Sequence, residues 1–217
     1  MENKHIDRLL AQGHKLKADP LMSLPIARDH GYYPAILHTY LQDQQEEQKT
    51  LSPAYNVRNG LRWIPKLTAA EIVNERPVFP DTLTVERAAA TLKDAGLILM
   101  ETTGAFLEPD HVTGRKRDIA TWWHIVTKGV PLDYFDRTQR QAFSSLEAAT
   151  HGIPQALLLA LWRRSPKVEG YVKLSAVELE KVLSMDERTA RRHLKALVKA
   201  GKLIPHPLLA KLYGICE

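Results

Sequence analysis

Residues Leu174 to Ile204 read LSAVELEKVLSMDERTARRHLKALVKAGKLI, and the fold turns on how this stretch is read. The spacing predicts a short helix, a tight turn near Val182–Ser184, a longer helix and the start of a strand. Ser175 with Glu178, and Ser184 with Glu187, have the form of capping boxes. In each, the hydroxyl accepts from an orphan backbone N–H and the carboxylate reaches back to the cap. In the longer helix Ala190, Leu194, Leu197 and Val198 recur at the three-and-four spacing of a buried stripe. Arg188, Arg191, Arg192, Lys195 and Lys199 fall on the opposite side. Ala200-Gly201 ends the helix, because Gly tolerates the left-handed conformation just past a helix terminus. One apolar face and one cationic face, behind a short capped helix, is the build of a major-groove reader. The plainer alternative is a solvated charged face.

The motif occurs twice. Leu67-Thr68-Ala69-Ala70-Glu71-Ile72 parallels Leu174-Ser175-Ala176-Val177-Glu178-Leu179, with Thr68 and Glu71 again forming a capping box. Downstream, Thr84, Arg87, Leu92, Ala95 and Gly96 parallel Thr189, Arg192, Leu197, Ala200 and Gly201. A turn two residues longer in the first copy reconciles the two offsets. The repeat predicts two helix-turn-helix units in one chain. Short helices are expected at Thr68–Asn74 and Leu83–Ala95 in the first copy, after a helix over Tyr33–Gln48 and a short strand over Leu61–Ile64.

Each unit is followed by strand-like sequence. Leu97–Met100 reads as a buried strand and Ile119–Val126 as its partner, with Gly114-Arg115-Lys116-Arg117 in the loop between. Alternation on the second strand sends one of Trp122 and Trp123 to the core and leaves the other partly exposed. Trp63 and the tyrosines Tyr32, Tyr33 and Tyr40 read as core. Helices are expected over Asp136–Thr150 and Gln155–Arg164, and a short strand over Tyr171–Leu174. After Ile204, Pro205 and Pro207 leave room for a truncated hairpin, and Leu208–Leu212 reads as a closing turn of helix. The shared pattern T-x-x-R-x-x-x-x-L-x-x-A-G-x-[LI] resembles the recognition helix and following strand of bacterial winged-helix regulators. The first copy is similar to the winged-helix domains of phage and plasmid replication-initiation proteins. It shares their leading helix, strand with Trp, helix-turn-helix, Gly-Leu-Ile exit and aromatic last strand. The resemblance covers about residues 33–126 and, separately, 140–212. It implies a mainly α chain with small β-wings, an α+β class built as two winged-helix domains in tandem.

Composition agrees with two small domains. The chain has 217 residues, 44% hydrophobic and 25% charged, ordinary for a globular protein. The expected division is an N-terminal arm at 1–30, a first domain at 31–130 with a long basic wing, and a second at 131–217 with the Arg/Lys-rich helix. The net charge of +5 is uneven. Residues 160–217 hold 12 Lys and Arg against 6 Asp and Glu, so the excess lies in the second copy. Such polarity fits a polyanion, since phosphate neutralisation supplies most non-specific affinity. A small acidic protein would meet the same charge. The N-terminus lacks a signal peptide's basic start and apolar centre, and no run is long enough to span a bilayer. A cytoplasmic location and no membrane partner are expected. Cys216 is the single cysteine and cannot make an internal disulfide or a Cys-based zinc site.

No enzyme is expected. The chain has neither H-E-x-x-H nor G-x-S-x-G nor a phosphate-binding loop, and no metal or cofactor set has plausible ligand spacing. Asp110-His111 and Glu46-Glu47 read as solvated groups. The expected activity is sequence-specific binding of double-stranded DNA, with a homodimer open, in replication initiation or transcription regulation of a phage or plasmid. The interface candidates in the second copy are Arg188, Thr189, Arg191, Arg192, Lys195 and Lys199. Arg191 and Arg192 would read bases, since Arg can pair both acceptors of guanine. In the first copy they are Thr84 and Arg87, with Arg115, Lys116 and Arg117 on the wing. The alternatives are a winged-helix adaptor that binds protein, and an RNA-binding module that stacks bases on an exposed Trp.

Overall fold

The computed structural model describes residues 20–51, 57–58, 61–102, 121–183 and 185–215. They divide into two compact units, one spanning Leu21–Gln139 and the other taking in Pro20 and the chain from Arg140 on. The class is α+β: among the described residues there are eight α-helices and several small antiparallel sheets.

The first unit runs β1 (Leu21–Ser23), α1 (Leu24–His30), α2 (Tyr32–Leu51), β2 (Val57–Arg58), β3 (Leu61–Arg62), β4 (Ile64–Leu67), α3 (Ala69–Glu75), α4 (Thr82–Asp94), β5 (Ile98–Thr102) and β6 (Thr121–Ile125). Two 3-10 turns follow, at Leu132–Phe135 and Arg137–Gln139. The main sheet has the order β4-β6-β5, antiparallel throughout, with Ile98 opposite Ile125 and Ile64 opposite Trp123. Helix α2 packs on this sheet and on α4, burying Ile36, Leu37, Tyr40 and Leu41. The Tyr40 hydroxyl donates to the Glu75 carboxylate at 2.8 Å, tying α2 to the end of α3. The Trp123 indole N–H donates to the Leu67 carbonyl at 3.2 Å, across the β4–β6 pair.

The second unit runs β7 (Arg140–Ala142), α5 (Ser145–His151), α6 (Ile153–Arg164), β8 (Val172–Lys173), α7 (Ala176–Leu183), α8 (Glu187–Lys199), β9 (Leu203–Pro205) and β10 (Leu212–Ile215). Its sheet has the order β8-β10-β9, again antiparallel, with Ile215 opposite Leu203 and Leu212 opposite Lys173. The core gathers Leu157, Leu158 and Trp162 of α6, Leu179 and Leu183 of α7, and Ala190, Leu194 and Leu197 of α8. The Trp162 indole N–H donates to the Tyr213 carbonyl at 2.6 Å and fastens α6 to the central strand.

Apart from the β2–β3 pair of the first, the two units share one order of elements among the described residues. Helix, strand, helix, helix, strand, strand is α2-β4-α3-α4-β5-β6 in one and α6-β8-α7-α8-β9-β10 in the other. In both sheets the last strand lies in the middle. The repeat extends to the termini of the helices. Thr68 makes a full capping box with Glu71. At the matching position Ser175 Oγ accepts from the Glu178 N–H at 3.2 Å and donates to its carboxylate at 2.6 Å. Helices α4 and α8 are each 13 residues long. Both end in the same hydrogen-bonded reversal. Leu97 N–H reaches Leu92 O at 2.9 Å, and Lys202 N–H reaches Leu197 O at 2.9 Å. Gly96 and Gly201 supply the left-handed residue, at φ 70° and 68°.

Several expectations change. The cap expected at Ser184 lies outside the described residues, and α8 opens instead after Asp186, whose carboxylate accepts from the Thr189 N–H at 2.9 Å. Met185, just before it, is buried. The helix expected over Asp136–Thr150 is confined to Ser145–His151. Asp136 accepts from the Thr138 N–H at 2.8 Å, which favours a tight turn, and residues 140–142 are a strand. The closing helical turn at Leu208–Leu212 is absent, because Leu212 already belongs to a strand paired with β8 and β9. Neither Trp on β6 is exposed: Trp122 and Trp123 are 9% and 3% accessible. Strand β6 is buried on both its faces, so alternation sends neither indole to solvent.

Of the arm expected at 1–30, residues 20–30 are described, and they are built into the body. Met22 and Ile26 are fully buried, and the Ser23 N–H donates to Thr39 Oγ1 at 3.0 Å. The Tyr134 hydroxyl donates to Asp29 at 2.6 Å, linking α1 to the first 3-10 turn. The Arg28 guanidinium and the Tyr134 hydroxyl hold the Asp29 carboxyl down at about 2. Burial, with help from Asp29, pushes the Tyr134 hydroxyl up to about 12.

Two predictions concern stability. Leu197→Ala removes a fully buried side chain from the α8 stripe and should cost about 2–5 kcal/mol in urea unfolding. The Asp29 carboxyl titrates lower folded than unfolded, so its contribution is present above the ordinary carboxylate range and is lost as pH falls from about 4 to about 2. With 34% of the Asp29 side chain exposed, solvent screening keeps that contribution small. Unfolding midpoints measured down the acid range should therefore fall somewhat less steeply for Asp29→Asn than for the native chain.

Candidate nucleic-acid interface

Helix α8 owes its orientation to its apolar stripe. Ala190, Leu194 and Leu197 are buried and Val198 half-buried, against α6, α7 and β9. At about 100° per residue, burying that stripe turns the remaining positions outward. Arg188, Arg191, Arg192, Lys195 and Lys199 are all exposed. Arg191 pairs with Glu187 one turn earlier, with both partners open to solvent. An exposed pair of this kind is worth roughly 0.3–0.5 kcal/mol. It steadies the guanidinium without committing it.

The cap shapes the helix start. Asp186 accepts from Thr189, and hydrogen bonds from the Thr189 side chain and backbone draw its carboxyl below the ordinary range. Thr84 behaves alike: its hydroxyl donates to Asp81 at 2.7 Å and its N–H to the same oxygen at 2.7 Å. Both threonines are thus partners of the caps, and Thr84 has given its hydroxyl hydrogen to Asp81. His193, half-buried between the two faces of α8, has its pKa lowered by burial first and by Arg192 second.

The hairpin adds cations. A cavity beside α8 is lined by Ser175, Arg191, Lys195, Lys211 and Tyr213, among others. A second cavity is lined by Arg188, Thr189, Arg191, Arg192 and Lys195. Lys211 was not legible as a site residue, since it follows an apolar loop sixteen positions beyond Lys195. Only the return of the chain as β10 sets it beside α8. The available signal was negative: from Arg188 through Ile215 the sequence has seven Lys or Arg and no Asp or Glu.

The first unit presents the same geometry with different chemistry. Shifted by 105 residues, the five outward positions of α8 fall on Leu83, Glu86, Arg87, Ala90 and Asp94, and these too are exposed. The five on α8 are three arginines and two lysines. The five on α4 hold one arginine against two carboxylates. Arg87 is exposed on α4, apart from any comparable set of cations on that face. Arg115, Lys116 and Arg117 lie outside the described residues.

Among the described residues no group of three or more His, Cys, Asp or Glu could hold a metal ion, and no helix is long and apolar enough to cross a membrane. Compared with known proteins, the chain matches no family model, no curated protein and no solved structure.

Asp186 sets where α8 begins, which yields a check on the site's scaffold. Asp186→Ala should lower the melting temperature followed by circular dichroism, while Asp186→Ser, another good cap, should leave it near the native value.

Proposed function

We propose that this chain binds double-stranded DNA through α8, and that both units are winged helices. The order of elements and the central last strand in each sheet support the winged-helix reading. The observation that carries DNA binding is the outward row of five cations on α8, in a stretch of 28 residues without a carboxylate. A 13-residue helix with such a face is long enough, at roughly 1.5 Å per residue, to lie in a major groove. Arg191 and Arg192 are the base-reading candidates, each able to bond both acceptors of guanine. Arg188, Lys195 and Lys199 hold phosphates, and Lys211 adds a further backbone contact from the hairpin.

A second reading is favoured at one place. The α4 face, with Leu83 47% exposed beside Glu86 and Asp94, suits protein better than a polyanion. The first unit then serves as a contact for a protein or a second copy while the second unit reads DNA. For the biological role, replication initiation and transcription regulation of a phage or plasmid both fit. Footprints on an origin-like repeat array and on the gene's own promoter separate them. An RNA-stacking role finds less support, because the Trp side chains of β6 are buried.

Binding to duplex DNA should weaken steeply with salt, in gel shifts repeated at two ionic strengths. Arg192→Ala should cost about 1–3 kcal/mol and relax preference at one base position. Lys199→Ala should weaken all sequences alike and lower the salt slope by about one. If both variants bind as the native chain does, α8 is not the reader.

A further inference from the structure

The tip of the β9–β10 hairpin carries an apolar feature that the DNA-reading helix does not account for. The loop His206-Pro207-Leu208-Leu209-Ala210-Lys211 leaves Leu208 87% and Leu209 56% exposed. Exposed leucines on a slack loop would mean little, but this loop is held. His206 Nδ1 accepts from the N–H groups of both Leu208 and Leu209, at 3.1 and 3.0 Å. That fixes the ring proton on Nε2. Tyr171 packs edge-on against the imidazole, ring centres 4.7 Å apart. The His206 N–H closes the loop on the Leu212 carbonyl at 2.9 Å. The backbone beneath the two side chains is thus held at the end of a braced hairpin.

The surroundings select the partner. Lys211 closes the tip loop on its β10 side, and the seven-cation stretch without a carboxylate includes the hairpin entirely. An acidic surface complements such a tip. A lipid surface would need a broad outward apolar face, and the apolar face of α8 is buried in the core. A DNA groove needs only what is here: a narrow apolar point with a cation, Lys211, beside it. Leu is among the side chains that wedge between base steps from the minor groove and kink the duplex.

We infer that Leu208 and Leu209 form a wedge that enters the minor groove next to the site held by α8, unstacks a base step and bends the DNA. This rests on the proposal that α8 binds duplex DNA. Pyrimidine–purine steps, the easiest to kink, are the expected points of insertion. Lys211, in the same loop, holds a phosphate beside the inserted point.

The experiment uses the full chain and a duplex with TA and CA steps at its centre, end-labelled with donor and acceptor dyes. The native chain should bring the dyes closer on binding. The double variant L208A/L209A should bind with the same salt slope and leave the dye separation as in free DNA. Both side chains face solvent, so the variant is expected to fold, and circular dichroism melting checks it. Native binding without a change in dye separation overturns the wedge but leaves α8 as the reader. So does a double variant that bends the duplex as fully as the native chain. Flotation of the native chain, but not the variant, with phosphatidylserine vesicles assigns the tip to lipid and overturns the wedge. Failure of the native chain to bind the duplex at all removes the α8 reading, and the wedge with it.

Discussion

Everything proposed for this protein depends on the burial of a stripe of small and branched side chains on one helix. Ala190, Leu194 and Leu197 sit against α6, α7 and β9, and leaving them exposed would forfeit roughly 1.5–3 kcal/mol for each leucine. That contribution exceeds what an exposed ion pair supplies, so packing and not charge sets how α8 is rotated. The cations face outward because the leucines face inward. Asp186 and Gly201 then mark where the helix starts and stops, and so which turn of it presents which arginine.

The two units show that one scaffold can carry unlike surfaces. Caps, helix length, terminal reversal and strand order agree between them, although few residues are identical. What agrees is what the backbone requires: a side-chain acceptor for orphan N–H groups, a left-handed residue past the helix end, and an apolar stripe. The outward positions bear no such requirement, and there the units diverge from a cationic row to Leu83, Glu86, Arg87, Ala90 and Asp94. A surface free of folding constraints is where a duplicated unit can change partner. The hairpin shows the same freedom, for its strands are needed by the sheet while the residues at its tip are not.

Much of this was legible in residue order, and the reasons it was legible are local. The stripe on α8, the boxes at Thr68 and Ser175, and the glycines at the helix ends are each decided within one or two turns of chain. The start of α8 was less clear, because two signals overlap. Ser184-x-x-Glu187 and Asp186-x-x-Thr189 both spell a cap, and Asp186 is the residue that caps α8. At residues 136–142 helix-compatible sequence was overridden by the Asp136 turn and by a strand. The tryptophans of β6 misled because alternation predicts exposure only when one face of a sheet is open.

The sequence by itself determined the repeat, the periodicity of α4 and α8, the glycines that end them and the one-sided placement of charge, since all of these follow from neighbours within a few residues. Tertiary structure alone decided which cations gather. Lys211 joins Arg191 and Lys195 only because β10 pairs between β8 and β9, and Leu208 and Leu209 stand out only because His206 and Tyr171 brace the loop beneath them. Such meetings depend on pairing between strands distant in the chain, and no local spacing encodes that.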